Sequence, residues 1–243
     1  MEIIKLEKVD STNAYIMRNV EELESPVMVV AHTQTAGQGQ RGNSWEAEPG
    51  NNLTFSIFYR PYQLPPMAQF SMSETVALAV VDFLGVHGIE AKVKWPNDIY
   101  VGDKKICGIL IRHSIMGGYV SYSVIGVGID VNQTVFLSDA PNPVSMKQIT
   151  GETYALSQLE NEIAHIMGDR LKLILTEEDR RELHKEFMGK LWRGDGKLYP
   201  FTDTASGETF KARIEGIAMH GPMSLRLEDG SARVYAFKEV AFQ

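Results

Sequence analysis

Two stretches decide the reading of this chain: Gly37-Gln38-Gly39-Gln40-Arg41-Gly42-Asn43-Ser44-Trp45, and Lys94-Trp95-Pro96-Asn97-Asp98 followed by Lys105-Ile106-Cys107-Gly108-Ile109-Leu110. A glycine-rich basic loop can hold an anion with its backbone N–H groups. A lysine beside a stiff Trp-Pro pair can place one positive charge on that anion, because Pro96 fixes its own φ and pushes Trp95 toward extended geometry. Together the two segments point to activation of a carboxylate by ATP.

Gly37, Gly39 and Gly42 match G-x-G-x-x-G, which alone is a weak dinucleotide signal. In that kind of site the loop joins a strand to a helix, whose N-terminus faces the pyrophosphate. Here the loop runs on through a polar stretch into the strand expected at Asn52–Tyr59. A strand-to-strand loop whose amides fold over an anion is the better reading, and a plain surface loop is the bland one. Trp45 argues against the bland one, since a large aromatic in a polar glycine loop needs a partner, and an adenine ring would serve. Asn97 and Asp98 follow at a turn, where Asp98 can help hold Mg²⁺ or accept a proton. The alternative is an ordinary Asx turn beside a solvated lysine.

Around these segments the pattern alternates. Strands are predicted at Glu2–Val9, Val27–Ala31, Lys92–Trp95, Ile99–Val101, Lys105–His113 and Tyr119–Val131. Helices are predicted from Ser11 or Thr12 to about Leu23, over Met67–Val86, from Ser157 to about Leu175 and from Glu177 to about Leu191. After Arg193-Gly194-Asp195-Gly196 four short strand-like runs are separated by Ser206-Gly207, Gly221-Pro222 and Asp229-Gly230. Such a small β unit buries too little apolar area to stand alone, so it is expected to pack on the rest.

The 243 residues carry 44% apolar and 23% charged side chains with a net charge of −7. That balance argues against a broad nucleic-acid surface. No apolar run reaches the roughly 18 to 20 residues needed to cross a bilayer, and the start does not read as a signal peptide. Cys107 is the single cysteine, and the six histidines are scattered, so neither a disulfide framework nor a zinc site is expected. Cys107 reads as a small core residue. The expected location is cytoplasmic, with no nucleic acid or membrane partner.

The ordered set Asp10-Ser11-Thr12-Asn13, Gln34 to Gly42, Trp45, Asn52-Leu53, Lys94 to Asp98, Lys105 to Leu110 and Gly126-Val127-Gly128-Ile129-Asp130 resembles the biotin–protein ligase family, also called biotin–[acetyl-CoA-carboxylase] ligases. The likeness covers residues 1 to about 132 well and the C-terminal unit loosely. It implies an α+β fold, with a class II synthetase-like mixed sheet flanked by helices over residues 1–192 and a small SH3-like β-barrel over 193–243. It implies a two-step reaction: biotin attacks the α-phosphate of MgATP to give biotinyl-5′-AMP, and a lysine of a biotin carboxyl carrier protein domain then takes the biotinyl group.

By the same resemblance Ser11, Thr12, Gln34, Gly37, Gln38 and the backbone at Gly108 hold biotin. Gln40, Gly42, Trp45, Asn97, Asp130 and Asn132 serve the nucleotide. Lys94 bridges the biotin carboxylate and the α-phosphate, with Arg41 and Asp98 beside it, Asp98 as the guess for the general base. The metal ligands stay unassigned. Two departures stand out. Many members carry Arg where this chain has Gln38 and Gln40, which predicts a weaker hold on the intermediate. Asp130 stands where the family has Asn, which puts the contact there in doubt, although Asn132 is expected on the same face. Many members also carry an N-terminal helix-turn-helix, and because Asp-Ser-Thr-Asn arrives by residue 10 the expectation is a monofunctional ligase, monomeric or homodimeric. A lipoate ligase or octanoyltransferase, and a non-catalytic sensor, are the alternatives.

Overall fold

A computed structural model describes residues 1–137 and 142–243, with Arg41 described through its backbone alone. The elements run β1 (Glu2–Val9), α1 (Thr12–Arg18), β2 (Val27–Gln34), β3 (Leu53–Tyr59), α2 (Phe70–Val86), β4 (Lys92–Lys94), β5 (Asp98–Val101), β6 (Lys104–Met116) and β7 (Tyr119–Ile129). They continue with α3 (Met146–Thr150), α4 (Leu156–Arg170), α5 (Glu177–Gly189), β8 (Tyr199–Asp203), β9 (Thr209–Ile217), β10 (Met223–Leu227), β11 (Ala232–Tyr235) and β12 (Val240–Phe242). The first seven strands make one mixed sheet in the order β1-β2-β3-β7-β6-β5-β4. Only β1 and β2 run parallel, joined by α1 as the crossover that such a pair requires.

Alternation along the strands sorts side chains onto two faces. Val27 and Val29 of β2 join Ile16 of α1, Phe58 and Val124 in a small cluster, while Met28 and Val30 point into the main core. The main core is the layer of α2, α4 and α5, with Val76, Leu78, Phe83, Ile163 and Phe187 fully buried. Pro66–Val86, which includes α2, is apolar and long enough to cross a bilayer by length and composition. This corrects the expectation that no such run exists; 72% of its window is buried inside the protein, as a core helix is.

Several boundaries differ from expectation. α1 ends at Arg18 rather than near Leu23, and a cis peptide bond follows at Ser25–Pro26. Ser11 occupies the N-cap position but makes no side-chain cap bond. The short α3 was not foreseen, although its signal is in the sequence: Ser145 and Gln148 form a reciprocal capping box, and Gly151 closes the helix at φ 80°.

The C-terminal strands form a second, antiparallel sheet, β11-β10-β9-β8-β12. Five strands replace the four runs expected. Because β11 and β12 are its two unpaired edges, the sheet is open, not the closed barrel the resemblance implied. It packs tightly on the first sheet. Trp95 is 3% exposed, donates its indole N–H to the Gly221 carbonyl at 2.9 Å and meets Phe237 edge-on at 5.2 Å. Phe237 also touches Phe70 at the start of α2, and Trp192 packs on Phe242 while donating to the Gly102 carbonyl. Truncation of Trp95 removes its indole hydrogen bond to Gly221 and its packing on Phe237. Trp95→Ala is expected to lower the unfolding free energy by about 3–5 kcal/mol, read from urea denaturation; an unchanged midpoint would contradict this account of the docking.

Candidate active site

One cavity of about 570 Å³ opens on the α1 side of the large sheet, a size suited to a small-molecule site. Its floor is a gap in the side-chain layer. Gly108 on β6 pairs with Gly128 on β7, and Leu110 pairs with Gly126. The Trp45 indole lies on this floor. A Cβ on Gly108 would come within 2.9 Å of it, and one on Gly128 would collide with it outright. Gly126 is roofed in the same way by the Asn13 amide, 2.7 Å from where its Cβ would stand.

The end of the cavity nearest α1 is a buried polar network. The Thr12 amide donates to Gln34 Oε1 at 2.8 Å, and its hydroxyl meets Ser56 Oγ at 2.6 Å. Ser56 donates to Asn13 Oδ1 at 2.6 Å, and Asn13 donates to the Leu110 carbonyl. Ser11, Thr12, Asn13 and Ser56 are each nearly inaccessible to solvent. Fixed donors and acceptors in such a place orient a polar ring. Asn13 was quoted in the sequence motif without a role, and Ser56 was missed; as one hydroxyl in a hydrophobic strand, it gave no signal of its own.

At the other end Lys105 Nζ pairs with Asp98 Oδ1 at 2.7 Å, both about a quarter exposed, and lies 5.8 Å from the Trp45 ring centre. Asn97 also lines the cavity, and its side-chain amide donates to the Ile109 carbonyl. Trp45 Nε1 and Asp130 Oδ1 are buried without a hydrogen-bond partner among the described residues. Burial pushes the Asp130 carboxyl well above the usual carboxylate range, with Glu46 adding to the effect and Lys105 opposing it. Lys238, from the turn between β11 and β12, also lines the cavity, so the second sheet contributes to it.

The lysine expected at the centre is elsewhere. Lys94 does not line the cavity. Its ammonium donates to Tyr100 Oη at 2.9 Å and sits 4.6 Å from the Tyr100 ring, with Trp192 and Phe242 each at 5.4 Å. Aromatic faces hold a cation there by their quadrupoles. Burial lowers the Lys94 pKa and pushes the Tyr100 hydroxyl up to about 12. Of the two lysines that line the cavity, Lys105 and Lys238, Lys105 stands on β6 opposite Tyr100 of β5 and reaches Asp98 with its ammonium.

Other expected residues divide. Ser11, Thr12, Gln34, Gln38, Gln40, Trp45, Asn97, Asp98, Gly108 and Asp130 line the cavity. Gly37 and Gly42 do not. The glycine loop spends several amides on itself: Gly39 N on Asn43 O, Asn43 N on Gln40 O and Trp45 N on Gly37 O. It is therefore less of an open anion nest than the sequence implied. Arg112 of β6 donates to Gln38 Oε1 at 2.9 Å. The side chain of Arg41 lies outside the described residues. Asn132 is not at the cavity either; the strand ends at Ile129, and the Asn132 amide instead exchanges two hydrogen bonds of 2.9 Å with the Tyr154 backbone. Among the described residues no three His, Cys, Asp or Glu side chains converge to hold a metal.

The sequence profile of the biotin/lipoate A/B protein ligase family matches residues 6–130. The bifunctional ligase/repressor BirA of Bacillus subtilis is 35% identical over 223 residues, 86% of this chain and 64% of that protein. The BirA of Escherichia coli is 37% identical over 124 residues, 51% of this chain and 38% of that protein. The chain thus spans roughly two fifths to just under two thirds of the length of these relatives. Among solved structures, the biotin protein ligase of Aquifex aeolicus in complex with biotin and ATP superposes with a TM-score of 0.79 at 21% identity, over 100% of this chain and 98% of that one, which speaks for the fold. With half of its length matched by the family profile, the chain belongs to the biotin/lipoate A/B protein ligase family.

Proposed function

We propose that this chain is an ATP-dependent ligase that activates biotin as biotinyl-5′-AMP and transfers it to a lysine of a biotin carboxyl carrier domain, acting in the cytoplasm. The observation that carries the reading is the order of groups along one cavity. A buried polar network at Thr12, Asn13, Gln34 and Ser56 lies at one end, the Lys105–Asp98 pair and the Trp45–Asp130 region at the other. A ureido ring has two N–H donors and one carbonyl, which the network can match. The dithiolane of a lipoyl group has none of these and could form no such bonds with the network.

In the first step a biotin carboxylate oxygen forms a bond to the α-phosphorus and pyrophosphate leaves. Lys105 is the residue we assign to the negative charge gathered there, a role in which a pre-placed cation stabilises the transition state. Asp98 holds that ammonium in place. Because Asp98 is already engaged by Lys105 at 2.7 Å, we move it from general base to positioning residue. In the second step the neutral carrier amine bonds to the acyl carbon. The bond from that carbon to the phosphate oxygen breaks, AMP leaves, and the proton lost by the amine passes to solvent. Mg²⁺ belongs to the ATP phosphates in this reading, and no step is assigned to protein-held metal. The division into a catalytic unit, 1–192, and a C-terminal unit, 193–243, is kept as part of the proposal, supported by the change from a mixed to an antiparallel sheet.

Transfer of labelled biotin to a purified carrier domain with ATP tests this. Lys105→Ala is expected to cut the rate by about 10²- to 10³-fold, while Lys94→Met keeps it within a few-fold. Equal loss in both, or transfer of lipoate in preference to biotin, would overturn the assignment. Gly128→Ala places a methyl group where the indole rests. It is expected to displace Trp45, seen as a red-shifted emission absent from a Trp45→Phe background, and to weaken nucleotide binding at least tenfold. An unaltered spectrum with normal binding would contradict the role given to the glycine floor.

A further inference from the structure

Lys238 reaches the cavity from outside the large sheet. It lies in the turn between β11 and β12, is half-buried, and lines the cavity. Its backbone sits at φ 73°. Glycine enters that left-handed region freely, whereas the Cβ of any other residue crowds a neighbouring carbonyl there. The turn is pinned in this shape. Thr204 Oγ1 donates to the Lys238 carbonyl at 2.7 Å, Glu239 N–H donates to the Ala236 carbonyl, and Ala236 N–H donates to Glu239 Oε2. A side chain larger than glycine is carried here at a conformational cost, and such strain points to a role for that side chain.

The place of the turn indicates the role. Phe237, just before Lys238, packs on Trp95 at 5.2 Å and on Phe70 at 5.8 Å. Trp95 stands three residues before Asp98, so the turn meets the cavity on the side of the Lys105–Asp98 pair. Among the described side chains, the charged groups lining the cavity are Glu46, Asp98, Asp130, Lys105 and Lys238. Three carboxyls against two ammonium groups leave no surplus of positive charge. The glycine loop adds Gln38 and Gln40 to the lining, both neutral amides. A nucleoside triphosphate brings a chain of negative charge, most of it on the two outer phosphates. Lys105 is assigned to the α-phosphate, and Lys238 is the other ammonium among the described lining residues.

We propose that Lys238 holds the β- and γ-phosphates of the nucleotide, so that the C-terminal sheet completes the triphosphate end of the active site. The inference rests on the reading that a nucleoside triphosphate occupies this cavity. As the biotin oxygen bonds to the α-phosphorus, the bond from phosphorus to the bridging oxygen breaks and its electron pair stays on pyrophosphate. The Lys238 ammonium faces the charge that gathers there. A lysine suits the position, because its ammonium is a point charge on a flexible stem that can follow pyrophosphate as it leaves. AMP lacks the outer phosphates, so Lys238 adds nothing to its binding, and the second half-reaction proceeds without this residue.

Lys238→Gly separates this role from a part in folding. Glycine relieves the positive φ, so the variant is expected to unfold at or near the wild-type urea midpoint. The full chain is titrated calorimetrically with α,β-methylene-ATP and Mg²⁺, with and without saturating biotin, and separately with AMP. Lys238→Gly and Lys238→Met are expected to lose about tenfold or more in triphosphate affinity. AMP and biotin affinities stay within about twofold of wild type, and Lys238→Arg recovers triphosphate binding to within a few-fold. Unchanged triphosphate affinity in both Lys238→Gly and Lys238→Met, an equal loss for AMP, or no triphosphate binding by the wild-type chain would overturn the inference. So would a Lys238→Gly midpoint well below wild type. Biotin separates the two readings: Lys238-dependent triphosphate binding without biotin binding would sink the ligase and leave Lys238 standing. Biotinyl-AMP formed by Lys238→Gly at the wild-type rate under limiting ATP would do the reverse.

Discussion

The site depends on side chains that are missing. Gly108 and Gly128 face each other across β6 and β7, and Gly126 sits one pair further along the same face. A sheet normally carries side chains over each face. Here a patch of bare backbone lets the Trp45 ring and the Asn13 amide approach closer than any Cβ would permit. That approach sets the depth of the cavity and brings elements distant in sequence together: α1, the glycine loop and the β5–β6 hairpin. The alternation that buries Met28 and Val30 on one face leaves the other face to this patch, so core and site are two sides of the same strands.

The Lys94 to Asp98 segment works in two directions. Lys94 and Trp95 turn toward the C-terminal sheet, where the ammonium finds an aromatic cage and the indole finds Gly221 and Phe237. Asn97 and Asp98 turn toward the cavity, where the carboxylate holds Lys105. One short stretch thus couples docking of the second sheet to the placement of the cavity lysine. The docked sheet returns Lys238 to the cavity rim.

Much of this was legible in the sequence. Strand periodicity located β1, β3 and β7 almost to the residue, and the polar motifs at Ser11–Asn13, Gln34, Trp45 and Gly108 all arrive at one cavity. What failed did so for physical reasons. The place of Lys94 outside the cavity was not legible, because the aromatic cage around its ammonium is built from Tyr100, Trp192 and Phe242, which are scattered in the sequence. Ser56 carries no motif, and its role exists only through its hydrogen bonds to α1. Asn132 falls past the end of β7, where strand alternation no longer applies. The C-terminal sheet stays open because β11 and β12 do not pair with each other, which local pattern does not encode.

The most direct test of the central claim is the first half-reaction alone. The purified chain is mixed with biotin and ATP labelled at the α-phosphate, without any carrier domain, then quenched and resolved for biotinyl-AMP. The account predicts labelled biotinyl-AMP that requires biotin and is nearly abolished by Lys105→Ala. Formation of the adenylate at an undiminished rate in that variant, or none in the wild-type protein, would contradict it.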